Sequence, residues 1–297
     1  MRKGLILIFS TALISGFSVF LNKYGASVGD PYIFAFLKNS LVALFLSALV
    51  LGWRDRAALR SLSPKQWGGL LLVGLIGGSV PFLLFFKGLS LTSAAQGSFV
   101  HKSMFIFISV LAVWLLKEKL NKNFILGGLL LMAGNLFILK KLAFQFGWGD
   151  LLVLMAVLLW AGENILSKHL LKKLSGNIVA WGRIFFGAIF IFVFLALSGQ
   201  LAKVASATPT QWFWIIITAV LLLGYNLTWY NGLKNVPVSL ASAILLLGSP
   251  ITTLLTIIAS GKIVFKDIFS SILIISGLVL ILCADWLWRR VKIYVRT

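Results

Sequence analysis

Acidic residues are scarce in this chain of 297 residues: Asp and Glu total 7, against 27 Lys and Arg. Charge of either sign is scarce too, at 11% of residues, where a soluble chain carries about 25%. Cysteine occurs once. That excludes an internal disulfide, and Cys283, within an apolar run, reads as a small buried hydrophobe. Histidine occurs twice, at His101 and His169. Two histidines at separate depths do not supply the three or four ligands of a zinc site, so no metal is implied. The Gly-x-x-x-x-Gly-Lys-Ser/Thr pattern is missing, so nothing in the sequence supports ATP-driven transport. Polar stretches are short, and none is long enough to fold independently.

What the chain has in excess is apolar surface. Hydrophobic residues make up 60% and the mean hydropathy is +1.02. Ten helices of about 20 residues, each long enough to span a bilayer, nearly exhaust the length. A soluble enzyme, a disordered chain and an anchor bearing a large soluble domain are all excluded. The apolar runs predict helices over 4–22, 32–51, 68–86, 92–116, 123–139, 149–167, 178–197, 212–232, 238–260 and 268–287. The separators include GWRDRAALRSLSPKQ, KGLSL near residue 88, KEKLNK, KKLAFQFG, HLLKKLSG, KNVP near 235 and GKIVFK. The basic start and apolar run at the N-terminus resemble a signal peptide. Without a small-x-small cleavage site and a soluble mature chain, they read as a retained first helix.

The net charge of +20 would point to nucleic acid in a soluble protein. Here it reads as a topology signal. With the N-terminus in the cytoplasm, 17 of the Lys and Arg fall on inside segments and 7 on outside ones. That bias places both termini inside and makes a nucleic-acid partner unnecessary. Trp53, Trp67, Trp148, Trp212, Trp286 and Trp288 fall near span ends, where amphipathic rings settle. Three cations remain within helices: Lys38, Lys102 and Arg183.

The two halves match at an offset near 145 residues. Asn22-Lys23 aligns with Ser167-Lys168, Lys38 with Arg183, and Pro64, Gln66 and Trp67 with Pro209, Gln211 and Trp212. Gly88-Leu89 aligns with Gly232-Leu233 after a one-residue slip, and Gly134 with Gly277. Each half holds five spans. Five is odd, so the second half enters the membrane from the opposite side. The expectation is an all-α integral membrane protein of ten helices, in two inverted five-helix repeats over 1–143 and 144–297. Paired inverted repeats recur in secondary transporters, with the site near midplane.

These residues carry a resemblance over nearly the whole chain. The pattern is similar to the drug/metabolite transporter superfamily, specifically its EamA-like ten-helix members. Lys38 and Arg183 occupy that family's basic position in the second helix of each unit. Leu247-Gly248-Ser249-Pro250 approximates its proline step, and Leu116 to Leu120 looks like its Glu-bearing turn. The segment from Ala156 to Lys168, with Trp160, looks like the opening helix of a second unit. There are departures. His101-Lys102-Ser103-Met104 stands where a proline step is expected, Gly261-Lys262 where the Glu would recur, and Lys38 where Arg is commoner. The resemblance implies movement of a small metabolite, often export of amino acids or related compounds.

Polar groups within the spans are the candidate substrate or coupling residues, because charge there is costly unless it meets a partner or a cavity. Lys102 reads as a cavity cation, a paired cation, or a residue at a shifted helix end. His101, about 100° around the helix, reads as a proton carrier or a hydrogen-bonding packer. Glu163 reads as a coupling carboxylate or a partner of Arg183 or Lys102, with Asn164 beside it. Lys38 and Arg183 read as anion contacts or as structural cations. Asn226, Trp229, Tyr230 and Asn231 form a polar-aromatic cluster, with Tyr225 one turn before Trp229. Gln96 and Ser98 add polarity before Lys102. Gly182 with Gly187, and Gly128 with Gly134, read as close-packing positions. No cofactor is implied. The partners are a small molecule and the bilayer, with monomer or homodimer open. Proton coupling and facilitated diffusion both stand open. The rival readings are a cationic drug exporter, which needs an acidic cavity, a membrane enzyme, and a membrane assembly protein.

Overall fold

The computed structural model describes residues 1–25, 28–52, 55–92, 94–137 and 146–294; for 23, 94, 95 and 284–294 it describes the backbone. The described residues form an all-α, multi-pass membrane bundle. Nine helices are long and apolar enough to cross a bilayer, and a tenth apolar helix has 16 described residues. In chain order they are α1 (Arg2–Gly25), α2 (Pro31–Gly52), the short α3 (Asp55–Arg60), α4 (Pro64–Val73), a π-helical turn (Gly74–Ser79), α5 (Val80–Leu91), α6 (Ala94–Lys102) and α7 (Met104–Leu116). There follow α8 (Lys122–Phe137), α9 (Trp148–Leu170), α10 (Gly176–Leu197), α11 (Pro209–Leu233), α12 (Val238–Leu245), α13 (Gly248–Ser260) and α14 (Phe265–Tyr294). The third, fourth and ninth spans are thus composite.

The third and eighth spans start a few residues earlier than the apolar runs predict, because polar caps begin them. Ser63 accepts from the Gln66 amide while the Gln66 side chain accepts from the Ser63 amide; Thr208 and Gln211 do the same. The paired Pro-x-Gln-Trp strings are therefore two reciprocal capping boxes with proline in the first turn. KGLSL is not a separator. α5 runs through it to Leu91, because Gly88 lies directly against the Gly149 carbonyl and Val153 and the helix stays packed there. KNVP does separate α11 from α12. The fourth span breaks at Ser103 with no proline present, and the Ser103 hydroxyl donates to the Val100 carbonyl at 2.7 Å. The boundary expected at 143/144, and the indoles of Trp53, Trp286 and Trp288, lie outside the described residues.

α1 packs on α11 and on α12–α13, while α9 packs on α5 and on α6–α7. α2 lies against α10, and α8 against α14. The α8–α14 contact is backbone-close. A Cβ on Gly127 would come within 2.5 Å of the Gly277 carbonyl oxygen, and one on Gly277 within 2.6 Å of that of Gly127. Gly134, as expected, is also tight, but Gly128 meets only the rim of Phe105 at 3.7 Å; its neighbour Gly127 makes the close approach. Cys283 is exposed on α14 rather than buried, since it falls on the outward face of that helix. Trp148 is exposed, whereas Trp67 packs edge-on against Trp181 inside the bundle.

One end of the bundle is tied by two charged side chains. Glu118, just past α7, accepts from the Val238 amide at 2.8 Å, from the Ser239 amide at 3.2 Å and from the Ser239 hydroxyl at 2.5 Å. It caps the start of α12 with negative charge, where the helix dipole favours it. Lys168, near the end of α9, donates to the carbonyls of Leu233 at 2.5 Å and Val236 at 2.7 Å, where α11 ends.

Candidate substrate site

The π-helical turn is where the polar interior begins. Its glycines let the backbone press onto α10: a Cβ on Gly78 would meet the Arg183 carbonyl oxygen at 2.0 Å, and one on Gly187 would meet that of Gly78 at 2.5 Å. Single π turns loosen the regular ladder and occur often at functional sites. Side chains take up the carbonyls released here. Trp160 Nε1 donates to Gly77 O at 3.0 Å, and Asn39 Nδ2 to Gly78 O at 3.3 Å.

Arg183 is the eighth residue of α10. The helix start is pinned by Ser175, whose hydroxyl caps the Ile178 amide and donates to Asp55 at 2.7 Å. This sets the guanidinium between α9, α11 and the π turn, with 8% of the residue exposed. Its Nη1 donates to Asn226 Oδ1 at 3.3 Å, and its plane lies 5.8 Å from the Phe82 ring. Its Nε is buried without a hydrogen-bond partner among the described residues. A buried donor left unpaired is costly.

Glu163, 1% exposed, meets Arg183 at the bare face of Gly77. A Cβ there would lie 2.4 Å from Glu163 Cγ and 3.2 Å from Arg183 Nε. The carboxylate accepts from Ser167 Oγ at 2.5 Å and from Tyr230 Oη at 2.7 Å, both on Oε1. It makes no direct ion pair with Arg183; the one direct ion pair among the described residues is Lys203–Asp30 at 3.6 Å. Around these charges, Asn164 accepts from Trp229 Nε1 at 3.2 Å, and the Trp229 ring stacks on Tyr225 at 6.1 Å.

Six expected residues therefore converge: Glu163, Asn164, Arg183, Asn226, Trp229 and Tyr230. His101 stands at their edge, its ring 5.4 Å from Trp160 and 5.1 Å from Phe85. Lys102 closes α6, within electrostatic reach of Asp267 on α14. Gln96 lies in the first turn of α6. Lys38 is buried on α2. Its Nζ donates to Asn22 Oδ1 at 3.4 Å and lies over the Phe34 and Phe86 rings at 4.9 and 5.6 Å. Phe86 stacks on Phe82 at 6.3 Å, so two rings of α5 join the two buried cations. Sequence reasoning passed over Ser167, Gly77 and Phe82. Ser167 was legible, since it follows Glu163 by one helical turn.

Two hollows lie elsewhere. One of about 180 Å³ is lined by Asp30, Phe34, Leu37, Lys203, Thr208 and Gln211. The other, of about 430 Å³, is an apolar cleft between α2 and α11 at Phe45, Leu49, Leu223 and Leu227.

The sequence model of the EamA-like transporter family matches residues 2–140 and again 147–283. The chain belongs to the EamA-like transporter family. Among relatives of this EamA-like protein, an uncharacterised transporter of Archaeoglobus fulgidus is 26% identical over 236 residues, covering 77% of this chain and 80% of its own. The uncharacterised transporter YoaV of Bacillus subtilis is 24% identical over 252 residues, covering 83% of this chain and 85% of its own. One crystal structure superposes with a TM-score of 0.79, covering 98% of this chain and 99% of that one at 18% identity, a likeness of fold. An EamA-like bundle of this kind is a multi-pass secondary transporter of small molecules.

Proposed function

We propose that this EamA-like transporter moves small carboxylate-bearing metabolites, amino acids or related compounds, by alternating access around Arg183. The observation that carries the reading is the buried Arg183 with its unpartnered Nε. A guanidinium offers forked donors that match a carboxylate. Trp160, Trp229 and Phe82 supply the apolar wall of such a site. Lys38, Gln96, His101 and Lys102 lie outside this first contact and are proposed as contacts along the path.

We also propose two inverted five-helix halves, 1–143 and 144–297, with both termini in the cytoplasm of an inner or plasma membrane. Support comes from the family's two successive matches and from the odd number of spans in each half. The packing also survives exchange of the halves: α1 on α11 and α12–α13 mirrors α9 on α5 and α6–α7. The bias of Lys and Arg supports the orientation. A cationic drug exporter is less favoured, since Glu163 is already engaged by two hydroxyls and faces Arg183.

The test is uptake into sealed vesicles, comparing amino acids, organic acids and cationic drugs with and without an imposed proton gradient. Carboxylates should be taken up and drugs should not. Flux of none of them overturns the reading.

A further inference from the structure

We infer that Glu163 is a proton-binding carboxyl opposed to a substrate carboxylate at Arg183, so that one monoanionic carboxylate and one proton occupy the buried site together. This rests on the carboxylate reading above and adds a coupling rule to it.

Charge must balance here, in a place that tolerates little imbalance. Empty, the site holds one guanidinium and one carboxylate, brought together at the bare face of Gly77. An arriving carboxylate finds the open Nε of Arg183 and makes the sum one negative charge. Inside a bilayer, uncompensated charge is expensive. A proton restores neutrality, and few groups can take it. Arg183 stays protonated. Glu163 is the acid at hand, and its two partners suit both of its forms. A hydroxyl that donates to a carboxylate can rotate and accept from a carboxylic acid. Ser167 and Tyr230 are both hydroxyls, each on the same oxygen, Oε1.

Other titratable groups around Glu163 are accounted for element by element. α10 contributes Arg183, and α11 contributes Tyr225 and Tyr230. On α9 itself, Lys168 is tied to the carbonyls of Leu233 and Val236, Asp150 accepts from Thr92 at the helix start, and His169 is exposed in the last turn. α6 contributes His101, whose ring faces Trp160 and Phe85, and Lys102, which lies within electrostatic reach of Asp267. α4 and α5 contribute Lys65 and Lys87, each exposed near an outer end of its helix. The π turn, α7 and α12 contribute none. Around Lys38 the facing groups are Asn22, Phe34 and Phe86, with no carboxylate among them. The count is therefore one proton per carboxylate.

The experiment uses the full chain in sealed liposomes, with [14C]pyruvate as the monoanionic probe, [14C]alanine as the zwitterionic one, and protein-free vesicles as the blank. An inward gradient of one pH unit should drive about tenfold accumulation of pyruvate, the ratio that one proton per anion fixes at about 1.4 kcal/mol. A pH dye should report one proton entering per pyruvate. In E163Q the accumulation ratio should fall to one, and pyruvate affinity, read by tryptophan quenching, should lose its pH dependence. In Y230F, which keeps the carboxyl but removes a donor to its ionised form, half-maximal uptake should move to higher pH. Accumulation by E163Q equal to wild type overturns the inference, as does an unmoved pH midpoint in Y230F. Alanine uptake without pyruvate uptake overturns the proton rule and leaves the carboxylate site standing. Uptake of neither probe, with no quenching by either, removes both.

Discussion

The surroundings of Lys38 and Arg183 occupy the same register of two similar helices and have opposite chemistry. Each cation is the eighth residue of a helix of 22 residues. Ser18, Asn22 and Lys38 precede Glu163, Ser167 and Arg183 by the same 145 positions. The local bond is retained: Asn22 donates to Ser18 at 2.9 Å as Ser167 donates to Glu163. What changes is the acid and the phenol. Where one side has Glu163 and Tyr230, the other has Ser18 and, with the one-residue slip, Phe86. The first cation is thus held by ring faces and an amide, worth about 0.5–2 kcal/mol per ring contact. The second faces a full countercharge. Duplicated positions can keep their geometry while one copy retains the chemistry.

The contrast can be broken experimentally. The largest effect is expected from Arg183→Met. It leaves Glu163 buried and uncompensated, a loss of about 3–5 kcal/mol, so uptake should fall at least about a hundredfold, with a lower Tm in detergent. Next comes Ser167→Ala. It removes a hydrogen bond to a charged group and should cost about 1.5–3 kcal/mol of stability. The matching Ser18→Ala removes the neutral bond from Asn22 and should cost about 1 kcal/mol; equal losses in thermal unfolding would erase the proposed asymmetry. Glu118→Ala strips the cap from α12 and should cost about 0.5–2 kcal/mol. Lys38→Met should change stability least and with the opposite sign. It removes a buried cation without stranding an acid, so Tm should hold or rise.

Much of this was legible in the sequence, and the failures have physical causes. The spans followed from apolar runs of membrane length. The capping boxes were visible as Pro-x-Gln-Trp but read as repeat markers, because their serine and threonine stand just outside the matched string. KGLSL misled because a glycine and a lysine look like a turn, whereas Gly88 is a packing surface for Gly149. The convergence of Glu163, Arg183 and Tyr230 could be listed but not assembled. It depends on the approach of Gly77 and Gly78 to α9 and α10, which is a property of helix contact and not of periodicity. Lys102 drew attention as an intramembrane charge, yet it ends α6 at the break at Ser103, which no proline announces.

The Glu118 and Lys168 ties exist at one end of the bundle, and at the register where a second glutamate would recur the chain has Gly261. The opposite end has ties of another kind, the Thr92–Asp150 hydrogen bond at 2.6 Å and the Lys203–Asp30 ion pair at 3.6 Å. If access alternates as proposed above, two ends latched by different bonds open at different cost, and the waiting time divides unequally between the two compartments. Such a bias cannot choose the direction of net flow, which gradients decide. It sets which step is slow, and so from which side an inhibitor or an arriving solute finds the door already open.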